Sequence, residues 1–569
     1  MTQTDEGGAQ FGSDVTADLL RTLGVPYLAI NPGASFRGLH DSIVNHLGNH
    51  EPRLILTLHE AQAVAIAHGY AKVCGKPMGV VLHANIGLMN AVMSIYNAWA
   101  DRVPMLILGA TGAVDASRRR PWIEWIHTSR DQAALVRPFV KWDDQPASVP
   151  AMVESILRAW GLTQSEPCGP TYICLDVDLQ ESGSTHRATI DPARYIPRAR
   201  PSINETDLKR AQQIIQKAQK PLLLVGRHTR TQDAWDARIT FAEGVGAAVI
   251  CDQKVGVGFP STHPLFISAP AQYPSKRTCA LMAEADLIIS LDWPDLKGML
   301  SVRPDKGSGL ATIIVSQDEQ LHNGWSLDHF ALAEADMRLS VSPETFVAAM
   351  NAMPGARAPG KWMIAPPTRP DLPQSGPVTI PALIASFEAC RGQRKICLTR
   401  LTFGAPDEFI QFTGPLDCIG MDGGAGIGST PGITVGAALA LKGTGRIPVA
   451  IIGDGDLLMG SQALWTAAHE KLPCLFIVNN NSSFYNDVEH QEIVARRRTR
   501  PVENKNIGME ITDPNINIAE LAHSYGFVVY GPVSKIEELA TIFEAAFQSV
   551  ESGACVLVDV VTLPPAPRG

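Results

Sequence analysis

Two polar stretches in the C-terminal third of the chain contain the residue types that bind a divalent metal. The apolar run "IPVAII" is followed by Gly-Asp-Gly-Asp (453–456), and the apolar run "CLFIV" is followed by three asparagines (479–481). Both runs are typical of buried strands, and "SQALWTAAHEKL" between them is typical of a helix. A right-handed crossover places the carboxyl ends of parallel strands at the same edge of a sheet. We therefore expect Asp454 and Asn481 to converge on Mg²⁺ and a diphosphate, with a plain β-turn as the alternative for Gly-Asp-Gly alone.

A second candidate position lies near the N-terminus. In "RLILTLHEAQAVAIAHGYAK", a strand precedes a helix whose first turn contains Glu60. A zinc helix of the type H-E-x-x-H would need histidine at Ala63, so that interpretation fails. A glutamate that only complements the helix dipole is the alternative. His83 follows another apolar run, and a structural histidine is the alternative to a catalytic one.

Clusters of proline and glycine divide the sequence into the domains that must position these residues. Non-periodic stretches at 186–203 and 351–379 read as linkers, so we predict domains at 1–190, 191–355 and 356–569. Within each, runs that are apolar throughout alternate with helical patterns, which indicates parallel strands covered by helices on both faces. The predicted fold class is α/β, with three doubly wound parallel-sheet domains.

Composition excludes several classes of protein. The chain has 569 residues, of which 45% are hydrophobic and 18% charged, as in a folded enzyme of several domains. The net charge of −9 and the isolated basic runs at 118–120 and 496–498 argue against nucleic-acid binding. A polar N-terminus and the lack of any long apolar run predict a cytoplasmic protein with no membrane partner.

Together, the Gly-Asp-Gly stretch with its asparagines and the glutamate segment resemble the thiamin diphosphate (ThDP)-dependent enzymes. The resemblance covers essentially the whole chain and implies ThDP and Mg²⁺ as cofactors, with pyrimidine-binding, central and diphosphate-binding domains. Glu60 would exchange a proton with the aminopyrimidine. Asp454, Asn481 and the backbone carbonyl of Ser483 would bind the metal. Three asparagines in a row leave the register open by one residue, so Asn480 is the alternative ligand.

The resemblance also assigns residues around the cofactor. The glycine-rich stretch 424–440 does not fit G-x-G-x-x-G. In the family it lies under the cofactor, and Ile427 matches the bulky residue that bends the cofactor into a V. The residues implied to contact the cofactor are Glu60, Gly426, Ile427, Gly453, Asp454, Gly455, Asp456, Asn481 and Ser483.

Within the decarboxylase and acetolactate-synthase-like group, "RPFVKWDDQPAS", "GPTYICLDVD" and the leucine-histidine at 82–83 are similar to benzoylformate decarboxylase. This implies that His83 faces the reacting carbon. The loop that presents a serine to the substrate carboxylate in that enzyme aligns with Ala34, with Ser35 one place later. Its second catalytic histidine has Lys297 as a rough equivalent.

A loop at 118–131 is the remaining candidate for substrate binding. Trp122, Trp125 and His127 beside three arginines would suit an aromatic or carboxylated substrate, and a subunit contact is the alternative.

The resemblance implies a carbon–carbon lyase that decarboxylates a 2-oxo acid to an aldehyde. A carboligase or an acyloin or 2-hydroxyacyl-CoA lyase is the nearer alternative, and a silent ThDP-binding regulatory subunit is the remote one. Because the family builds each site from two subunits, we expect a homodimer at least and a homotetramer by preference.

Overall fold

The structure is a computed structural model that describes residues 10–184, 190–195, 201–271, 273–303, 309–318, 332–355, 360–367, 369 and 371–564. These residues form two compact units. The first contains the N-terminal residues as far as 195 together with Asp422–Ala440, and the second contains the described residues of 201–421 and 441–564.

The first unit is built on a six-stranded parallel sheet with the order β2-β1-β3-β4-β6-β5. Its strands are β1 (Tyr27–Ile30), β2 (Arg53–Leu56), β3 (Met78–Leu82), β4 (Met105–Thr111), β5 (Asp143–Asp144) and β6 (Pro170–Asp176). Its helices are α1 (Gly12–Thr22), α2 (Arg37–Asp41), α3 (Glu60–Cys74), α4 (Ala84–Ala100), α5 (Glu124–His127), α6 (Val149–Gln164) and α7 (Val177–Glu181). Strands β3 and β4 are buried at every position, which explains why their sequences are apolar without alternation.

The second unit contains two parallel sheets. The central one has the order β12-β11-β10-β7-β8-β9. Its strands are β7 (Pro221–Val225), β8 (Ala248–Cys251), β9 (Phe266–Ser268), β10 (Leu287–Leu291), β11 (Ala311–Val315) and β12 (Met337–Leu339). Its helices are α8 (Glu205–Lys217), α9 (Gln232–Val245), α10 (Lys276–Ala283), α11 (Leu296–Ser301) and α12 (Pro343–Ala352).

The C-terminal sheet has five parallel strands in the order β13-β14-β15-β17-β16. They are β13 (Ile396–Arg400), β14 (Ile447–Gly453), β15 (Cys474–Asn480), β16 (Val528–Val533) and β17 (Cys555–Val561). The helices of this part of the sequence are α13 (Ile380–Arg391), α14 (Thr430–Ala440), α15 (Asp454–Gly460), α16 (Gln462–His469), α17 (Tyr485–Arg497), α18 (Ile518–Ser524) and α19 (Ile536–Glu551). The crossover after β14 thus begins as a helix at Asp454, earlier than the sequence pattern predicted.

Helix α14 packs on α3 in the first unit, although it lies between strands of the C-terminal sheet in sequence. Glycines on both helices allow this approach. A Cβ on Gly69 would lie 1.9 Å from the Ile433 carbonyl oxygen, and one on Gly436 would lie 1.9 Å from that of Ile66. The helix that begins at Glu60 therefore has a neighbour that strand and helix patterns alone do not predict.

The three doubly wound parallel-sheet domains predicted from the sequence are confirmed. The domain bounds stay a prediction, and parts of both predicted linkers (186–189, 196–200, 356–359, 368 and 370) lie outside the described residues. No helix among the described residues has both the length and the apolar composition needed to cross a bilayer. The cytoplasmic location stays a prediction.

Candidate cofactor site and active site

Glu60 is the first residue of α3 and lies at the carboxyl edge of the N-terminal sheet. Its side chain is buried, with a relative exposure of 9%. The preceding His59 caps the helix, because its Nδ1 accepts a hydrogen bond from the Ala61 amide at 3.1 Å. Asn90 Nδ2 on α4 donates to Glu60 Oε2 at 3.0 Å. This contact fixes the orientation of the carboxylate, and sequence analysis did not identify Asn90 as its partner.

His83 directly follows β3 and is the N-cap residue of α4. Its Nδ1 is hydrogen-bonded to Ser35 Oγ at 2.7 Å. A Cβ on Gly33 would lie 2.1 Å from the imidazole, so this position requires glycine. A Cβ on Gly87 would lie 3.4 Å from both Glu60 Cγ and His83 Cβ. Glu60 and His83 therefore flank the same glycine at the edge of one sheet.

The surroundings of His83 favour its neutral form. Partial burial lowers the pKa of His83, and the nearby His127 and Arg120 lower it further, whereas Glu60 acts in the opposite direction. The His127 ring meets the His83 ring edge-on with centroids 5.0 Å apart. Since Ser35 engages Nδ1, Nε2 is the nitrogen left to act on a substrate.

The glycine-rich segment with Gly426 and Ile427 also lies in the first unit. Asn97 Nδ2 on α4 donates to the Gly426 carbonyl at 3.0 Å, and Gln62 Nε2 on α3 donates to the Gly428 carbonyl at 2.8 Å. Ile427 is half-buried. The segment is thus held by the two helices that begin beside Glu60 and His83, and neither Asn97 nor Gln62 was singled out from the sequence.

The candidate substrate-binding residues differ in their environments. Ser35 is buried against His83, whereas Ala34 is exposed. His127 contacts His83, but Trp122 is 79% exposed and makes no ring contact with the histidines. Lys297 is exposed on α11, where it lines a cavity of about 340 Å³ in the central domain. Arg227 and Asp292 line the same cavity.

The candidate metal ligands meet at the carboxyl edge of the C-terminal sheet. Gly453 ends β14, and Asp454, Gly455 and Asp456 form the first turn of α15. The Ser483 amide donates to Asp454 Oδ2 at 3.3 Å and to Asn481 Oδ1 at 3.0 Å. The two side-chain oxygens therefore converge around one backbone nitrogen.

The three asparagines have different environments. Asn479 donates to Thr402 Oγ1 and accepts from Thr562 Oγ1. Asn480 donates to Asp559 Oδ1 at 3.0 Å and so is tied to β17. Asn481 is the one whose amide oxygen lies beside Asp454, which supports it over Asn480 as the metal ligand.

The donor set fits Mg²⁺, which prefers oxygen ligands and completes its shell with water and phosphate. Burial raises the pKa of Asp454, and a cation at this position would lower it again. No cluster of three or more His, Cys, Asp or Glu side chains in the described ranges is arranged to hold a metal. The candidate set differs from such clusters because it combines one carboxylate, one amide and one backbone carbonyl, that of Ser483.

Gly455 and Phe484 connect the two halves of this set. A Cβ on Gly455 would lie 2.6 Å from the Phe484 ring, so the second glycine of Gly-Asp-Gly allows the segment after β15 to pack on α15. The sequence shows both residues, but their contact depends on the turn that follows the asparagines.

Comparison with known proteins shows the family of the chain. Three models of the thiamine pyrophosphate enzymes match in succession: the N-terminal TPP binding domain at 11–135, the central domain at 208–292 and the C-terminal TPP binding domain at 404–560. The acetolactate synthase large subunit of Lactococcus lactis subsp. lactis is 27% identical over 49% of this chain and 47% of that protein. In this alignment the chain spans about half the length of its relative. The benzoylformate decarboxylase of Pseudomonas aeruginosa is 24% identical over 76% of this chain and 79% of that protein.

The crystal structure of benzoylformate decarboxylase from Polynucleobacter necessarius is similar in fold. Its TM-score is 0.81 at 22% identity, with 98% of this chain and 100% of that chain covered. The three matched models together span more than half of the sequence. The chain therefore belongs to the thiamine pyrophosphate enzyme family.

Proposed function

We propose that the protein uses ThDP and Mg²⁺ to decarboxylate a 2-oxo acid to an aldehyde without oxidation. The observation that carries this proposal is the position of buried Glu60 and half-buried His83 on either side of Gly87. One group suits proton exchange with the cofactor, and the other suits proton transfer at the reacting carbon.

The protein's own residues have distinct roles in this proposal. ThDP, when bound, supplies the electron sink for carbon–carbon cleavage. Glu60 would exchange a proton with the aminopyrimidine, and Asn90 keeps the Glu60 carboxylate oriented. Asp454 and Asn481 hold Mg²⁺ and, through it, the diphosphate.

His83 would act through Nε2. Its lowered pKa keeps the ring neutral near pH 7, so Nε2 is available to accept a proton and return it when the aldehyde forms. Ser35 fixes the ring through Nδ1, and His127 meets the ring edge-on. This pair takes the place of the serine and second histidine expected from benzoylformate decarboxylase.

A carboligase or an acyloin or 2-hydroxyacyl-CoA lyase is the second candidate, because acetolactate synthase is also among the relatives. Such an enzyme would need the same Glu60 and metal pair but would join or release a carbonyl compound in place of CO₂. The products distinguish the two reactions.

The test is CO₂ release from benzoylformate, phenylpyruvate and pyruvate by protein reconstituted with ThDP and Mg²⁺. We expect Glu60→Gln to lower the rate by at least about 100-fold while ThDP still binds in calorimetry. ThDP binding without CO₂ release would reject the decarboxylase function, and cleavage of acyloins and of 2-hydroxyacyl-CoA would be the reactions to assay next. A protein that binds ThDP but catalyses none of these reactions would be a regulatory subunit.

We also propose a homodimer as the minimal functional unit and a homotetramer as the assembled form. This rests on the family resemblance, in which one subunit supplies the pyrimidine-binding residues and another the diphosphate-binding residues of each site.

A further inference from the structure

A buried ion pair lies next to the candidate metal ligands in the second unit. Arg400 is the last residue of β13, and Asp456 lies in the first turn of α15. Their side chains are only 5% and 7% exposed, and Arg400 Nε lies 3.8 Å from Asp456 Oδ2. This separation is too long for a hydrogen bond but short enough for a strong electrostatic interaction at a buried position.

The carboxylates at this edge of the sheet favour a cation in addition to the metal. Asp454 and Asp456 both present carboxylates in the first turn of α15. A diphosphate brought to Asp454 by Mg²⁺ would be repelled by the carboxylate of Asp456. In the three segments at the carboxyl ends of the adjacent strands β13, β14 and β15 (400–403, 453–456 and 479–484), Arg400 is the one cationic residue.

The surroundings of Arg400 fix where its guanidinium lies. Its Cζ lies 5.0 Å from the centroid of the Phe403 ring, a cation–π arrangement that orients the guanidinium plane. The loop is tied to the neighbouring strand end, because Asn479 Nδ2 donates to Thr402 Oγ1 at 3.3 Å. Asn479 precedes the metal ligand Asn481 by two residues, so the loop with Arg400 is held near the metal pair.

We propose that Arg400 binds the diphosphate of ThDP directly, with Asp456 and Phe403 positioning its guanidinium. The proposal rests on the proposed function, since it assigns one further contact to the same cofactor. A guanidinium presents several N–H donors in one plane and matches the geometry of phosphate oxygens. Arg400 thus complements Mg²⁺ and offsets the charge of Asp456.

The first test measures binding of ThDP, thiamin monophosphate and thiamin to the metal-depleted full-length protein after Mg²⁺ is added back, by calorimetry or tryptophan fluorescence. We expect Arg400→Gln to weaken ThDP binding about 10- to 100-fold, as for loss of a charged hydrogen bond, and to leave thiamin binding unchanged. Arg400→Lys keeps the charge but not the planar fork, and we expect an intermediate loss.

Arg446→Gln is the matched control. Arg446 also pairs with a buried aspartate, Asp417, at 2.7 Å, but it precedes β14 and so lies at the amino end of the same sheet. We expect this variant to bind ThDP as the wild type does. Thermal unfolding of each variant shows whether it is folded under the binding conditions.

A double-mutant cycle separates direct binding from simple neutralisation of Asp456. If Arg400 contacts the diphosphate, Arg400→Gln weakens ThDP binding in the Asp456→Asn background as well. Full recovery of affinity in the double variant would overturn the proposal, as would a folded Arg400→Gln protein with wild-type affinity. Failure of the wild type to bind ThDP would instead reject the proposed function itself.

Discussion

The hydrogen bond between Ser35 and His83 occupies Nδ1 of the imidazole and leaves Nε2 for the proposed contact with the substrate. Ser35 Oγ lies 2.7 Å from Nδ1, and burial leaves few other partners for the hydroxyl. We predict that Ser35→Ala lowers kcat about tenfold, because the ring loses one hydrogen bond and its fixed orientation.

Steady-state kinetics with the 2-oxo acid that gives CO₂ release in the proposed assay check this prediction. Ser117→Ala, in an exposed turn of the same unit, is the control and should keep wild-type kcat. An unchanged kcat in Ser35→Ala would mean that Ser35 does not contribute to catalysis, and Ala34 would then be the remaining candidate in this loop.

His127 contributes, after burial, to the lowered pKa of His83. His127→Gln should therefore raise the pKa of His83 toward its ordinary value, so that the ring becomes protonated at a higher pH. The acidic limb of the kcat/KM profile should move to higher pH by the same shift.

The control for this experiment is His46→Gln, whose ring pairs with Asp18 at 3.1 Å and does not contact His83. An acidic limb that stays in place in His127→Gln would mean that His83 does not titrate in the rate-determining step.

The residue types of the site could be predicted from the sequence, but several of their contacts could not. Glu60, His83, Asp454 and Asn481 all follow strands, and the strand pattern alone places them at sheet edges. Asn90 could not be assigned as a partner of Glu60, because that contact depends on how α4 is rotated against α3. These positions stay predictions as catalytic or metal-binding residues.

At the scale of elements, a buried ion cluster joins the two helices that begin at the site. His68 Nε2 and Lys72 Nζ on α3 contact Asp101 Oδ2 at 2.8 and 2.5 Å, and Asp101 follows the last residue of α4. All three side chains are buried. The cluster therefore fixes the far ends of the helices whose first turns hold Glu60 and adjoin His83.

Asp101→Asn should destabilise the protein by about 3 to 5 kcal/mol near pH 7, because it removes the carboxylate that pairs with buried Lys72 and His68. Although burial alone would raise the pKa of Asp101, Lys72 and His68 outweigh it and hold this pKa well below its usual range. The carboxylate thus contributes stability above its unfolded pKa, and that contribution is lost as pH falls toward the folded pKa.

Denaturant unfolding at several pH values checks both statements. The difference between wild type and Asp101→Asn should narrow below about pH 4, where the unfolded aspartate becomes protonated. Asp371→Asn, at an exposed position, is the control and should match the wild type. An equal stability of Asp101→Asn and wild type at pH 7 would contradict the role of the cluster.

Several strands of each sheet could be predicted from their apolar runs, whereas the packing of α14 on α3 could not. Its sequence, TPGITVGAALA, consists mostly of small and apolar residues and shows no distinct polar face. Only the close approach at Gly69 and Gly436 explains why it packs on α3. Such complementarity between two helices depends on backbone distance, which single-sequence periodicity does not encode.

At the scale of the whole molecule, the proposed assembly predicts complementation between two inactive variants. Glu60→Gln removes the proton-exchange group, and Asp454→Asn weakens the metal pair, so each protein alone should be nearly inactive. If every site takes Glu60 from one subunit and Asp454 from another, a mixed dimer contains one doubly altered site and one intact site. After dissociation and random reassociation of equal amounts, about a quarter of wild-type activity should return.

The measurement is the rate of CO₂ release or product formation as a function of mixing ratio, with the oligomeric state followed by light scattering. Activity should peak at equal amounts of the two variants, because mixed dimers are most abundant there. Each variant carried through the same procedure alone is the control. Exchange of subunits without any return of activity would mean that one chain supplies both residues of each site, and it would reject the shared-site dimer while leaving the assignments of Glu60 and Asp454 in place.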